Sequence, residues 1–187
     1  TEIRNLCPPK VRLIEWGHRI SFSYVSENKK KDDSFIAGLV KDIFIYNQQA
    51  CSSPQCVYIE NASFEELVMI GNKINAQMLQ QAEQYLLLTP SPMEAAEIQK
   101  TTLVVETEKS FKKDYTEVIK DPQNRWRILI DSRSGLRASP LYRTIWLKPI
   151  QRDQIWDVFR PLRQYLQTVG LFCDLTEIKD LSDKFYQ

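Results

Sequence analysis

Glycine is scarce in this chain. Five of the 187 residues are Gly, and Gly17, Gly38, Gly71, Gly135 and Gly170 are scattered. Neither G-x-G-x-x-G nor G-x-x-x-x-G-K-[ST] can be written, so the sequence has no phosphate cradle of its own. Histidine is limited to His18, and Cys7, Cys51, Cys56 and Cys173 show no C-x-x-C spacing. A zinc site is therefore not expected. Few, unpatterned thiols suit a reducing cytoplasm, which is the expected location. No apolar run reaches the roughly 18 residues of a membrane span. An excess of one charge is missing too: 25 Lys and Arg face 24 Asp and Glu, a net charge of +1. That excludes a nucleic-acid binder working through bulk charge. Thr1-Glu2-Ile3-Arg4-Asn5 offers no apolar h-region of a signal peptide and no initiator Met, so a piece of a longer chain is expected.

What is present is a core. Hydrophobic residues make up 43% and charged residues 26%, the balance of one good-sized globular domain. Val11–Glu15 and Gln55–Glu60 read as buried strands, and Ile20–Val25 alternates at the strand period. Arg125–Asp131, Arg143–Leu147 and Leu171–Leu175 read as further strands. Ser34 opens a helix to about Tyr46, with Phe35, Leu39, Ile43 and Phe44 on one face. Ser63-Phe64-Glu65-Glu66 is a capping box that starts a helix to about Leu87. Ser91-Pro92-Met93-Glu94 is a second box, with Pro at the first helical position, for a helix over about 92–110. Helices are also expected from Asp153 to before Gly170 and over 180–186. The segment Asp121–Leu141 is expected to hold a loop and an edge strand. Strands alternating with helices, with few tight-hairpin signals, predict a three-layer α/β domain with a mainly parallel sheet.

Cys51 stands in the polar stretch 47–54, between an amphipathic helix and a buried strand. Loops at strand carboxyl ends and at helix–loop junctions of α/β folds tend to line the ligand crevice. A thiol needs help from amides, a cation or a base to act as a thiolate near neutral pH. Glu15, at a strand end, is a candidate base, although spacing alone does not bring the two together. Cys56 lies in an apolar run and reads as core. Cys7 and Cys173 read as structural, and His18 as structural or exposed.

The segment Asp42-Ile-Phe-Ile-Tyr-Asn-Gln-Gln-Ala-Cys51-Ser-Ser-Pro-Gln-Cys-Val-Tyr-Ile-Glu60 resembles the catalytic-cysteine segment of the long-chain fatty acyl-CoA reductase family. That family is known from bacterial luminescence operons and belongs to the aldehyde dehydrogenase superfamily. The superfamily's Gly-Gln-x-Cys window reads Gln48-Gln49-Ala50-Cys51 here, with Gln48 in place of the Gly. Glu15-Trp-Gly-His-Arg19 fits the superfamily's Glu-Leu-Gly-Gly-Lys at the Glu and the first Gly, with His18 and Arg19 replacing the last two residues. Ser139-Pro-Leu-Tyr-Arg-Thr-Ile145 and Leu166-Gln-Thr-Val-Gly170 extend the resemblance over about Leu13–Gly170. The superfamily's Glu-x-Phe-Gly-Pro segment is not present in that form near Ser139–Thr144.

The resemblance implies an aldehyde dehydrogenase-like catalytic domain over 1–187, with Cys51 as nucleophile and Glu15 as base. It implies an acyl-CoA or acyl-carrier thioester as substrate, and acyl-protein synthetase or transferase subunits as partners. Cys51 would form an enzyme thioester, which NADPH or NADH would reduce to a fatty aldehyde. The cofactor would be bound mainly by a nucleotide-binding domain upstream of residue 1, and the fragment alone would be inactive. Two other readings stay open: a non-catalytic α/β binding domain, and an aldehyde-oxidising dehydrogenase relative.

Overall fold

The computed structural model describes residues 19–111 and 115–186. Six strands form one sheet: β1 (Ile20–Val25), β2 (Pro54–Glu60), β3 (Thr116–Lys120), β4 (Arg127–Asp131), β5 (Thr144–Ile150) and β6 (Leu166–Phe172). Their spatial order is β3-β4-β5-β2-β1-β6. Every neighbouring pair is parallel except β3 with β4. The helices are α1 (Ser34–Phe44), α2 (Phe64–Gln81), α3 (Pro92–Phe111), α4 (Ile155–Phe159) and α5 (Ile178–Tyr186).

Strand alternation sorts the core into two layers, because successive side chains leave a strand on opposite faces. Val25, Val57, Ile59, Ile128, Ile130, Ile145 and Leu147 pack with α1 and α2 on one face. Phe22, Tyr24, Cys56, Tyr58, Leu129 and Trp146 face the other way, with Val105 of α3, Ile155 and Phe159 of α4, and Leu181 of α5. The three-layer α/β architecture expected from the sequence is thus present. β2 is buried along its whole length, as a central parallel strand must be. Gly71 lets α2 lie close on the sheet: an added Cβ would stand 3.0 Å from both Ile119 Cδ1 and Ile130 Cδ1. The α2 capping box forms as read, with Glu66 N–H donating to Ser63 Oγ and Ser63 N–H to Glu66 Oε2.

Four boundaries differ from the sequence reading. α2 stops at Gln81 and gives one 3₁₀ turn over Ala82–Gln84, because the groups of Tyr85–Leu88 find tertiary partners. The helix expected from Asp153 to before Gly170 is broken into α4 and flanking 3₁₀ turns. Pro161 has no N–H to donate back into a helix. The strand expected at 171–175 therefore begins at Leu166, where β6 pairs with β1. The antiparallel edge strand is β3, ahead of the 121–141 segment that the sequence predicts to hold it. The strand read at Val11–Glu15 lies outside the described residues.

Candidate active site at the Cys51 turn

The Cys51 loop is made by the way α1 ends. Gln48 N–H reaches back to Ile43 O at 2.9 Å and Asn47 N–H to Phe44 O at 3.1 Å. These are the paired bonds of a Schellman C-cap, which needs a left-handed residue after the helix. Asn47 supplies it with φ 50°, and Gln48 follows with φ 62°. Gln48 thus holds a left-handed conformation at the position where the Gly of the Gly-Gln-x-Cys pattern would stand. Its buried side chain offers compensation, with Nε2 donating to Pro54 O at 2.8 Å.

Two further bonds fix the turn. Gln49 N–H donates to Tyr46 O, and Ser53 N–H donates to Ala50 O. From β1, Ser21 Oγ donates to the Cys51 carbonyl at 2.7 Å. At the start of β2, Gln55 donates to Arg19 O at 3.1 Å and accepts from Ser139 N–H at 3.1 Å. The turn is therefore tied to β1, to β2 and to the loop before β5. It lies at the amino end of β2 and not at a strand's carboxyl end as expected from the sequence: the helix–loop junction positions this cysteine.

Among the described thiols, Cys51 alone is exposed. Cys56 is fully buried, and burial pushes its thiol up to about 12. Cys173 is half-buried, and its thiol is raised, chiefly by burial. A thiolate is the nucleophilic form, so burial holds both of these thiols back. Glu15, His18 and Cys7 lie outside the described residues.

A groove of about 390 Å³ opens beside the turn, lined by Ile45, Tyr46, Ala50, Leu86 and Leu88 among others. Ala50 is the residue next to Cys51. Ile45, Tyr46, Leu86 and Leu88 all present exposed apolar surface here, Leu86 at 82%. The far wall is held from below. Asn47 Nδ2 donates to Leu86 O at 2.9 Å, and Leu88 N–H donates to Asn47 Oδ1 at 3.4 Å. Arg143 Nη2 donates to Leu86 O at 2.8 Å and to Tyr85 O at 3.3 Å. Arg143 itself is buried, with its guanidinium 4.2 Å from the Phe44 ring centroid. Burial pulls that group down to about 10, so it stays charged at neutral pH.

Arg143 is delivered by an unusual turn. Leu141, Tyr142 and Arg143 are all left-handed, with φ of 64°, 51° and 60°. Such a conformation costs a non-glycine residue roughly 1–2 kcal/mol, and strain of this kind clusters at functional sites. Thr144 N–H donates to Leu141 O to close the turn. Sequence reasoning picked out Cys51 but missed Ser21, Asn47, Gln48, Gln55 and Arg143. The polar composition of 47–55 was the available signal for three of them. Nothing local announced Ser21 or Arg143.

A second, larger groove of about 880 Å³ lies at the carboxyl ends of β2, β4 and β5, lined by Asn61, Ser63, Ser132, Arg133 and Gln151 among others. In open α/β sheets a dinucleotide sets its pyrophosphate on a helix N-terminus at this edge. Here the N-terminus of α2 is taken by its own carboxylates: Glu66 accepts from Ser63 N–H and Glu65 accepts from Ser63 Oγ. Negative charge already fills that position, and no glycine-rich turn precedes the helix. The N-terminus of α2 does not fit a dinucleotide pyrophosphate.

The sequence model of the family described as Acyl-CoA reductase (LuxC) matches residues 1–187. The chain belongs to this acyl-CoA reductase family. A long-chain acyl-protein thioester reductase of Aliivibrio fischeri is 26% identical over 143 residues, 76% of this chain and 28% of the relative. That of Vibrio harveyi is 22% identical over 88% of this chain and 32% of its own length. The chain thus spans about a third of the curated relatives it matches. Solved structures share the fold. Δ1-pyrroline-5-carboxylate dehydrogenase from Mycobacterium tuberculosis matches with TM-score 0.58 and 13% identity, over 90% of this chain and 33% of that one. A bifunctional proline utilization A protein matches with TM-score 0.66 and 12% identity, over 95% and 19%. Glyceraldehyde-3-phosphate dehydrogenase from Methanocaldococcus jannaschii, complexed with NADP, matches with TM-score 0.55 and 14% identity, over 90% and 38%. The chain therefore has an aldehyde dehydrogenase-type α/β fold, as the resemblance implied. Among its described residues, no helix is long and apolar enough to cross a membrane.

Proposed function

We propose that this chain is the thiol-bearing catalytic domain of a reductase acting on long-chain acyl thioesters, with Cys51 as nucleophile. The observation that carries the reading is the exposed Cys51 on a rigid turn beside an apolar groove, in a chain of the acyl-CoA reductase family. Sulfur suits the role, being a strong nucleophile that also leaves readily. The Cys51 thiolate attacks the carbonyl carbon of the thioester. The carrier sulfur departs with the bond's electron pair and takes up a proton. The acyl group is left as a thioester on Cys51. The developing oxyanion needs donors, a role assigned to the Cys51 backbone amide. Glu15 is proposed to accept the thiol proton.

Reduction of the enzyme thioester to an aldehyde takes a hydride, which a reduced nicotinamide supplies when bound. Its binding is assigned to a dinucleotide domain in another part of the protein, since no glycine-rich phosphate-binding turn can be written in this sequence.

The test is acid-quenched incubation of the full-length protein with a long-chain acyl-CoA, followed by peptide mass spectrometry. An acyl adduct on the Cys51 peptide that is absent from Cys51→Ser is expected. An adduct on Cys173, or turnover surviving Cys51→Ser, would overturn the reading. Glu15→Gln separates a reductase from an aldehyde-oxidising relative. It should abolish deacylation by water in the latter and be tolerated much better in the former.

A further inference from the structure

The buried guanidinium of Arg143 has no catalytic task in this scheme. It occupies a costly place: it is 1% exposed, its Nε carries a buried N–H with no partner, and it ends a run of three left-handed residues. Burying a charged group there costs free energy that only its bonds can offset. Arg143 holds the carbonyls of Tyr85 and Leu86 and covers the face of Phe44, a residue of the helix whose C-cap carries Cys51. Asn47, in that same C-cap, donates to Leu86 O as well and accepts from Leu88 N–H. Two side chains from distant parts of the sequence thus converge on three residues of the stretch 85–88, which is neither helix nor strand. Without these bonds the carbonyls of 85 and 86 would turn to solvent, and Leu86 and Leu88 would leave the groove wall.

We propose that Arg143 is a positioning residue for the Cys51 site, acting with Asn47 to clamp the Tyr85–Leu88 strap and so fix the groove wall beside the thiol. The inference rests on Cys51 being the acylated group. The strap sets where the apolar part of the acyl group lies as its carbonyl meets the sulfur. Misplacing a positioned group by about an ångström can lower a rate on the order of a hundredfold. The effect falls on long acyl chains, because each methylene losing its apolar contact weakens binding roughly fourfold.

The experiment uses the full-length protein carrying Arg143→Met, Arg143→Lys or Asn47→Gly. Glycine keeps the left-handed backbone at 47 and removes only the two side-chain bonds. Steady-state kinetics are taken with a four-carbon and a fourteen-carbon acyl-CoA. Hydrogen exchange is followed at amides 85–88 and along β2. Arg143→Met and Asn47→Gly should each raise KM for the long thioester at least tenfold and leave that for the short one within twofold. Exchange should quicken at 85–88 and not in β2. Arg143→Lys, which restores one donor, should recover part of the loss. Equal losses for both chain lengths, or faster exchange throughout β2, would mean a merely structural role and overturn the proposal. So would unchanged kinetics in Asn47→Gly with faster exchange at 85–88. Turnover surviving Cys51→Ser sinks the nucleophile assignment instead, and a length-selective KM effect in the clamp variants would then still support the strap as the wall of the acyl site.

Discussion

Replacing Lys148 by Met is the sharpest test of how this sheet is held together. Lys148 lies in β5 and Asp131 ends β4; both side chains are fully buried. Lys148 Nζ donates to Asp131 Oδ2 at 2.8 Å and to Arg133 O at 3.0 Å, and lies 5.2 Å from the Trp146 ring centroid. Arg133 Nε donates to the other carboxylate oxygen at 2.8 Å. Methionine fills nearly the same volume, so the change removes charge without opening a large cavity. Asp131 is then left in the interior with Arg133, whose backbone N–H and Nε both donate to Oδ1, and with Arg137 Nη1 3.9 Å from Oδ2, both side chains being half-exposed. Removing one member of a buried pair costs about 3–5 kcal/mol.

For a chain of this size that is a drop in Tm of about 10 °C. With a urea m-value of about 2 kcal/mol/M, the unfolding midpoint falls by roughly 2 M. Urea titration followed by Trp fluorescence measures it, Trp126 and Trp146 both being buried. The double variant Lys148→Met with Asp131→Leu removes both charges and should be more stable than the single one. pH gives an independent arm. Burial alone would push the Asp131 carboxyl up, but the Arg133 hydrogen bond and the Lys148 charge outweigh it and the group is lowered. A lowered carboxyl stabilises the fold above its unfolded value of about 3.9 and loses that contribution as pH falls through the folded value. Without Lys148 burial gains ground and the folded value rises toward the unfolded one, so less stability is lost through Asp131 as pH falls and the Lys148→Met deficit should shrink in acid. A single variant within about 1 kcal/mol of the parent, or a deficit that does not shrink in acid, would refute this account of the buried pair.

Other outcomes follow from the same reasoning. Gln48→Gly relieves a left-handed backbone but loses the bond to Pro54 O, two effects of about 1 kcal/mol each and of opposite sign. Its unfolding midpoint should stay close to the parent's, and a loss above 2 kcal/mol would count against the turn as described. Arg152→Met strips Glu60, whose side chain is only 4% exposed, of bonds at 2.6 and 2.9 Å. Because Arg152 is partly solvated, the loss should be nearer about 2 kcal/mol in urea titration. Burial pushes the Glu60 carboxyl up, but bonds from Arg152 and the Glu27 N–H leave it lowered. That stabilisation is lost as pH falls through the lowered value, so the Arg152→Met deficit should shrink in acid. Iodoacetamide should modify Cys51 before Cys56 and Cys173 in the native protein, and labelling in the reverse order would contradict the burial of the other two thiols.

Much of this protein is written locally. The alternation in Ile20–Val25, the apolar run of β2 and the two Ser-x-x-Glu boxes mark strands and helix starts, because side-chain period and caps depend only on near neighbours. The polar run 47–54 similarly marks the loop that carries Cys51, and the absence of a glycine-rich turn excludes a dinucleotide cradle. Sequence could not show that Tyr85–Leu88 would leave the helix, since the pull comes from Asn47 and Arg143, 39 and 57 residues away from Leu86. Nor could it place β6 beside β1, pair Lys148 with Asp131, or set Ser21 under the Cys51 carbonyl. Each of these is a bond between groups that only chain folding brings within about 3 Å. Residue type decided which groups could bond, and tertiary packing decided which of them met.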